Sequence, residues 1–399
     1  MAKRTRNARR ATKRRGDRAT GGAQTGLPAL STLSDLPTFD ELHMSASQRD
    51  AYDADLRALE SEGVDVAEVE PACVVRLDRY FPALVAASGV TRAEFSFRFG
   101  VVREPSAAVG DWVVLRRPAD HDMGVIEFVL PRESDVARWK GGARGKKQTL
   151  AANVQTVLVA QALGGWPIDC DRIARSAVIA ADCNARVAVV LTKADRAGAE
   201  LLARDIELVR QVVGNVPIAV TAAGSGITCD GEGADLARVA AAHGAAWGNA
   251  GVRALVPQGS VAIVLGESGA GKSTLLNALL GHQALETGAG RETDDSGRHT
   301  TVARRMVTLP GAGVIVDEPG LRSLPLVGHE RGLAKVFPEI AEAATTCRFR
   351  DCTHTHEPGC GVRDAFADGA FPKERLDAYL ALAAEMRASA ETLDPDVVI

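Results

Sequence analysis

Residues 260–280 read Ser-Val-Ala-Ile-Val-Leu-Gly-Glu-Ser-Gly-Ala-Gly-Lys-Ser-Thr-Leu-Leu-Asn-Ala-Leu-Leu, and the reading of the whole chain grows from them. Ser260–Leu265 is an apolar, β-rich run, and Thr274–Leu280 has the leucine spacing of a helix with a buried face. Between them the spacing is G-x-x-x-x-G-K-[ST], from Gly266 to Ser273. Backbone N–H groups that wrap an anion need residues tolerant of unusual dihedrals, which Gly266, Gly269 and Gly271 supply. Glu267, Ser268 and Ala270 complete the loop, and Thr274 opens the helix whose N-terminus faces the anion. A loop of this kind takes nucleoside phosphates, with Lys272 on the β- and γ-phosphates and Ser273 on Mg2+.

Apolar runs recur outward from this loop at Thr156–Val159, Val187–Leu191, Pro217–Val220 and Val314–Val316. Helical patterns at Asp171–Cys183, Ala199–Val213 and Ala234–His243 separate them. Strands alternating with helices predict an α/β domain over 151–327, a mainly parallel sheet covered on both faces. Asp317-Glu318-Pro319-Gly320 ends the last run, so Asp317 is expected at Mg2+ and Gly320 at the γ-phosphate. Thr192-Lys193-Ala194-Asp195 ends the second run. An Asp195 carboxylate accepts from the N1–H and N2–H2 edge of guanine, with the Lys193 stem over the base. Adenine offers an acceptor and no amine there, which leaves the carboxylate unmet. Thr221-Ala222, at the end of the third run, is a shorter and weaker base-contact match. Asp195 precedes Gly266, the reverse of the usual order, so the constellation assembles only if the fold is circularly permuted.

Near the C-terminus stands Cys347-x4-Cys352-x-His354-x5-Cys360. Three Cys and one His within so short a loop suit a tetrahedral zinc ion, one per chain. Four protein ligands leave no open position, so the ion is read as structural, with His356 the competing ligand. Cys73, Cys170, Cys183 and Cys229 are scattered and read as small buried hydrophobes. The segment 328–399 is thus a zinc-binding, mostly helical domain, closed by a helix near Pro372 with Leu376, Tyr379, Leu380 and Ala383 on one stripe.

The 399 residues are 46% hydrophobic and 25% charged, which excludes a wholly disordered or collagen-like chain. No apolar run is long enough for a membrane helix, no secretory signal is expected, and the cytoplasm is the expected location. The net charge of −4 conceals nine Arg/Lys against the single acid Asp17 in residues 1–18. Such a tail suits a polyanionic partner. Residues 1–44 are expected to be a mostly disordered basic tail, and 45–70 a lead-in with one exposed helix started by Ser45 or Ser47. Residues 71–132 read as all-β, strands of a five-stranded OB-fold barrel assigned to 71–148. Phe95, Phe97 and Phe99 alternate along one strand and are read as barrel core, with stacking on nucleotides as the other reading. Arg132 to Lys147, with Lys140, Arg144 and Lys146, is a basic link, either plainly solvated or part of a phosphate-facing strip.

The ordered set T-K-A-D, G-E-S-G-A-G-K-S-T, G-R-H-T-T (297–301), D-E-P-G and C-R-F-R-D-C-T-H-T-H-E-P-G-C (347–360) resembles the ribosome small-subunit-dependent GTPase A family (RsgA/YjeQ). The resemblance spans about residues 70–390. It implies an RNA-binding OB barrel, a central circularly permuted P-loop GTPase domain and a zinc domain. It also implies rRNA binding near the decoding centre of the small ribosomal subunit, stimulated hydrolysis of GTP to GDP and phosphate, and release on hydrolysis. By position it assigns Lys193 and Asp195 to guanine, and Gly269, Gly271, Lys272, Ser273 and Thr274 to phosphates and Mg2+. Thr300 or Thr301 becomes the switch threonine over Mg2+, and Asp317 and Gly320 the second switch. Cys347, Cys352, His354 and Cys360 become the Zn2+ ligands. Glu318 departs from the family, which has a small residue there. Leu321 stands where many GTPases have a water-orienting Gln, which predicts slow intrinsic turnover. His299 is the candidate to position water, with a plain RNA contact as its other reading. The chain is expected to act as a monomer without membrane association. Three other functions fit less well: a GTP-gated RNA-binding factor with negligible turnover, a permuted GTPase of the large subunit, and an ATP-dependent P-loop enzyme, which Asp195 disfavours.

Overall fold

The computed structural model describes residue 30 and residues 33–78, 81–98, 107–140, 146–164, 167–222, 232–284, 304–317 and 326–392. Its first five strands are β1 (Val69–Leu77), β2 (Ala83–Ala86), β3 (Gly89–Phe95), β4 (Trp112–Arg116) and β5 (Gly124–Val129). β1 pairs with β2 and also with β4, β3 runs parallel to β5, and β5 pairs antiparallel with β4. The ring therefore closes as the five-stranded barrel expected of an OB-fold. Small and aliphatic residues fill it: Val74, Leu84, Ala93, Val113, Leu115 and Ile126 are fully buried. Of the phenylalanines read as core, Phe95 packs partly against this cluster, whereas Phe97 is 85% exposed. β3 ends at Phe95, so the alternation that would turn Phe97 inward stops short of it. Phe99 lies outside the described residues.

Residues 33–44, read from composition as part of a disordered tail, make fixed contacts. Phe39 meets Trp112 edge-on at 5.6 Å, and Leu42 and Met44 are buried. The helix Ala46–Ser61 starts with a reciprocal cap between Ser45 and Gln48. Gln48 is itself buried, donating to the Pro131 carbonyl and to Asn153 Oδ1, so one end of this helix is docked rather than exposed. The expected basic link is instead an antiparallel hairpin, β6 (Asp135–Lys140) and β7 (Lys146–Ala152). Val136, Leu150 and Ala151 bury its base. A fully buried Asp111 takes two 2.7 Å bonds from Arg132, whose third nitrogen donates to Thr149 of β7. Gly110 (φ 96°) lets the turn before β4 lie against β7, because a Cβ there would stand 2.1 Å from the Ala152 carbonyl oxygen.

The second half alternates as expected: β8 (Thr156–Ala162), β9 (Arg186–Thr192), β10 (Ile218–Val220), β11 (Ala246–Trp247), β12 (Val261–Leu265), β13 (Arg304–Thr308) and β14 (Val314–Asp317). The strand order is β11-β10-β9-β8-β12-β14-β13, parallel except for β13. Along β8, Val157 and Val159 face the helices Cys170–Asp182 and Ala199–Val213, whereas Leu158 and Ala160 face Lys272–Leu280. β13 also pairs with β1 at Arg76–Arg305 and Leu77–Arg304, which joins barrel and sheet. The C-terminal helices Glu330–Val336, Pro338–Ala344, Gly361–Ala367 and Lys373–Thr392 share the core with the first of these faces. Leu376, Tyr379 and Ala383 are buried, and Leu380 is half-buried. No helix among the described residues is long and apolar enough to cross a membrane.

Candidate functional site

The phosphate-type loop lies between β12 and the helix Lys272–Leu280, with Gly269 (φ 85°) and Gly271 (φ 82°) in the left-handed region. At Gly266 the constraint is space: a Cβ would stand 2.5 Å from the Ala160 carbonyl oxygen of neighbouring β8. Lys272 Nζ donates to the Gly266 and Glu267 carbonyls, each at 2.6 Å, which curls the loop around the ammonium. Ala270 is buried as the loop's anchor, while Glu267, Ser268, Gly269 and Thr274 are exposed and Ser273 is half-buried in the first helical turn.

Residues 192–195 are brought directly against this loop. Thr192 Oγ1 donates to the Ala270 carbonyl at 2.7 Å, and Lys193 Nζ donates to the Gly269 carbonyl at 2.6 Å. Lys193 holds φ 58°, a strained value for a residue with a side chain, and its two neighbours explain how it is held. The Ala194 N–H donates to the Thr221 carbonyl at 3.0 Å, which places Thr221-Ala222 beside the same turn. Asp195 follows, exposed, in the one-turn helix Ala194–Arg196. Parallel pairing of Ile263 with Val316 carries Asp317 to the same end of the sheet as the loop. Three sequence segments out of the usual order thus meet at one edge. His299, Thr300, Thr301, Glu318, Gly320 and Leu321 lie outside the described residues. One contact at the loop carries no sequence motif: Arg172, in the first turn of Cys170–Asp182, forms an ion pair with Glu267.

The second candidate centre is the Cys347, Cys352, His354 and Cys360 set, whose ligand atoms all lie within 4.8 Å of one another. Cys347 follows the helix Pro338–Ala344, and Cys360 caps the helix Gly361–Ala367. His354 turns inward at φ 64°, is buried, and lies 6.0 Å from the Tyr379 ring. Its burial lowers the imidazole pKa and keeps the neutral, ligating form. Burial works to raise Cys347, but N–H groups of Val362 and Gly361 aimed at its sulfur outweigh it and favour the thiolate. Cys352 is pushed up to about 12, chiefly by burial, so the apo cluster keeps this thiol protonated. The competing His356 is exposed and bonded to Thr355 Oγ1 at 2.9 Å, outside the set.

A Gly-x4-Gly-Lys-Ser loop on a parallel sheet, with Thr192 to Asp195 upstream of it in the chain yet packed against it, has the architecture of a circularly permuted P-loop GTPase. The same fold is found in YjeQ from Thermotoga maritima, at TM-score 0.56 and 22% identity over 80% of this chain and 99% of that one. It recurs in YloQ, described as a circularly permuted GTPase, at TM-score 0.51 and 19% identity over 80% of this chain and 96% of that one. A family profile described as RsgA GTPase matches residues 233–327. A Streptomyces coelicolor protein named small ribosomal subunit biogenesis GTPase RsgA is 40% identical over 321 residues, 79% of this chain and 80% of its own. Its namesake in Streptomyces avermitilis is 37% identical over 84% of this chain and 83% of its own. The chain belongs to the RsgA GTPase family.

Proposed function

We propose that this chain hydrolyses GTP to GDP and phosphate during maturation of the small ribosomal subunit. The observation that carries the reading is the clasp of Thr192 and Lys193 on the Ala270 and Gly269 carbonyls, which sets Asp195 next to the phosphate loop. Relatives that align over about four-fifths of their length with this chain are named for small-subunit biogenesis, which supports the substrate of the cycle.

In this reading Asp195 accepts from the guanine edge, the Lys193 stem covers the base, and Thr221-Ala222 closes its far side. The N–H groups of Gly266 to Thr274 receive the phosphates, and Lys272 exchanges its two carbonyl partners for phosphate oxygens. Ser273 and Asp317, with Thr300 or Thr301, would hold Mg2+, which would supply positive charge to the phosphates. Gly320 follows the γ-phosphate, and His299 positions the attacking water.

The sulfur–nitrogen cluster fits zinc. Tetrahedral Zn2+ with ordinary bond lengths separates two sulfurs by about 3.8 Å and sulfur from nitrogen by about 3.6 Å. Three of the six pairs match this, 3.9 Å for Cys347–Cys360 and 3.5 Å for both Cys347–His354 and Cys360–His354, and the whole set, with Cys352, lies within 4.8 Å. The barrel and this module would bind rRNA near the decoding centre, with the basic tail adding charge. Cys73, Cys170 and Cys183 are free thiols, in keeping with the reducing cytoplasm.

Phosphate release from GTP and ATP, with and without purified small subunits, tests the reading. Strong stimulation for GTP alone is expected. Equal turnover with and without subunits would reduce the chain to a GTP-gated binding factor. Asp195→Asn should shift preference toward xanthine nucleotides, and retained guanine preference would refute its role. His299→Ala should abolish stimulation and spare GTP affinity.

A further inference from the structure

We propose that Arg172 is a positioning residue for nucleotide binding, acting by neutralising Glu267 inside the phosphate loop. The inference rests on the nucleotide-site reading above. A phosphate loop works by concentrating positive potential, here from N–H groups, the N-terminus of Lys272–Leu280 and the Lys272 ammonium. Glu267 places a carboxylate in that loop, one residue after Gly266, and its own carbonyl is a partner of Lys272 at 2.6 Å. Unpaired, this carboxylate would repel the phosphates and compete for the ammonium that has to meet them.

Arg172 removes that charge from play. Among the described residues it is the ion-pair partner of Glu267. It is held in place from its own helix: Asp169, the N-cap of Cys170–Asp182, accepts from the Arg172 N–H at 3.0 Å and from its Nε at 3.2 Å. The guanidinium is thus aimed by a cap rather than left to swing, and its free end reaches the loop across the β8–β12 neighbourhood. Arginine is suited to this because its charge persists at every working pH and one fork serves two carboxylates.

The test is equilibrium binding of fluorescent GDP and GTP analogues to the full chain, its Arg172→Ala and Glu267→Gln variants, and the double variant. Arg172→Ala should weaken binding about fivefold, more for GTP than for GDP, and the loss should shrink at about 0.5 M KCl. In turnover the change should fall on KM and leave kcat in place. Glu267→Gln alone should bind more tightly than the unaltered chain, because the Arg172 charge is then no longer offset. The double variant should recover the affinity of the unaltered chain, since the repelling charge is gone. A double variant as weak as Arg172→Ala would overturn the proposal, because Arg172 would then act on its own. Unchanged affinity of Arg172→Ala would overturn it as well. Failure of the unaltered chain to bind guanine nucleotides would sink the site reading and this inference together.

Discussion

Replacing Arg375 by methionine measures what fixes the last helix to Ala199–Val213 and Glu330–Val336. Arg375 is only 8% exposed. Its Nη1 donates to the Val212 carbonyl at 2.7 Å, at the end of Ala199–Val213, and its Nη2 donates to the Val336 carbonyl at 2.6 Å. The same side chain pairs with Glu339 and stands 4.8 Å over the Phe337 ring. Methionine keeps the stem volume and its contact with Phe337, so the loss is polar. Each buried carbonyl deprived of its donor costs about 1–3 kcal/mol. Val212 is deeply buried and Val336 less so, and the one-third exposed Glu339 finds water. The expected destabilisation is about 3 kcal/mol, a sizeable fraction of a domain's stability. Urea unfolding followed by far-ultraviolet circular dichroism reads it, with Glu339→Gln as the milder comparison at about 1 kcal/mol or less. GTP affinity should hold, since Ala199–Val213 starts near Asp195 and ends about 22 Å away at Arg375. An Arg375→Met loss below about 1 kcal/mol, or a Glu339→Gln loss as large, would refute the reasoning.

Three further outcomes follow from the geometry. Metal analysis should find one zinc per chain, and chelation should cost helicity in 361–392, because the ion is worth on the order of 10 kcal/mol to such a module. Acid should release it too, as thiolates and imidazole take up protons. Gly266→Ala should weaken nucleotide binding by at least about tenfold, since its Cβ would stand 2.5 Å from the Ala160 carbonyl oxygen. The hydrogen bonds from Arg175 hold the Glu385 carboxyl below its ordinary value, so this pair stabilises fully above the ordinary value and is lost as pH falls from there through the lowered one. Glu385→Gln should therefore melt lower than the unaltered chain at neutral pH, and the gap should close as pH falls below the ordinary carboxyl range, with a constant gap counting against the pair.

The loop–sheet geometry around Gly266 was readable from sequence because its constraints are local. Gly266, Gly269 and Gly271 mark backbone needs that few other residues meet, and the β-branched runs declare buried parallel strands. The order of Asp195 and Gly266 was enough to call for permutation, and the parallel order β9-β8-β12-β14 brings the two together. The metal set likewise rested on spacing, and His354 rather than His356 joined it because a left-handed turn points it inward. What escaped is held by distant partners. Phe39 is ordered by Trp112, and the hairpin after Arg132 is fixed by Asp111, neither of which a window of sequence reveals. Lysines and arginines along β6 and β7 hid an antiparallel pair within a basic stretch. Phe97 was misjudged because its alternation outran the strand. Arg172 and Arg375 look like ordinary helix-surface arginines until the fold supplies their carboxylates and carbonyls.

The short contact between barrel and sheet has a bearing on how the chain can be cut. β13 runs antiparallel between β14 and β1, which pairs with it at only two positions, so the rest of its far row of N–H and C=O groups is a template for foreign strands unless covered. β1 occupies that row at Arg304 and Arg305, and the Asp35 carbonyl takes the Thr308 N–H at 2.9 Å. The Asp35 carboxylate meanwhile meets His282 at 3.1 Å, just past the loop helix. Asp35 therefore carries the cover of this strand one hydrogen bond beyond the reach of β1. A chain trimmed to residue 45, where the first long helix begins, is expected to bare the Thr308 N–H and to sediment with a larger associated fraction than one trimmed to residue 30.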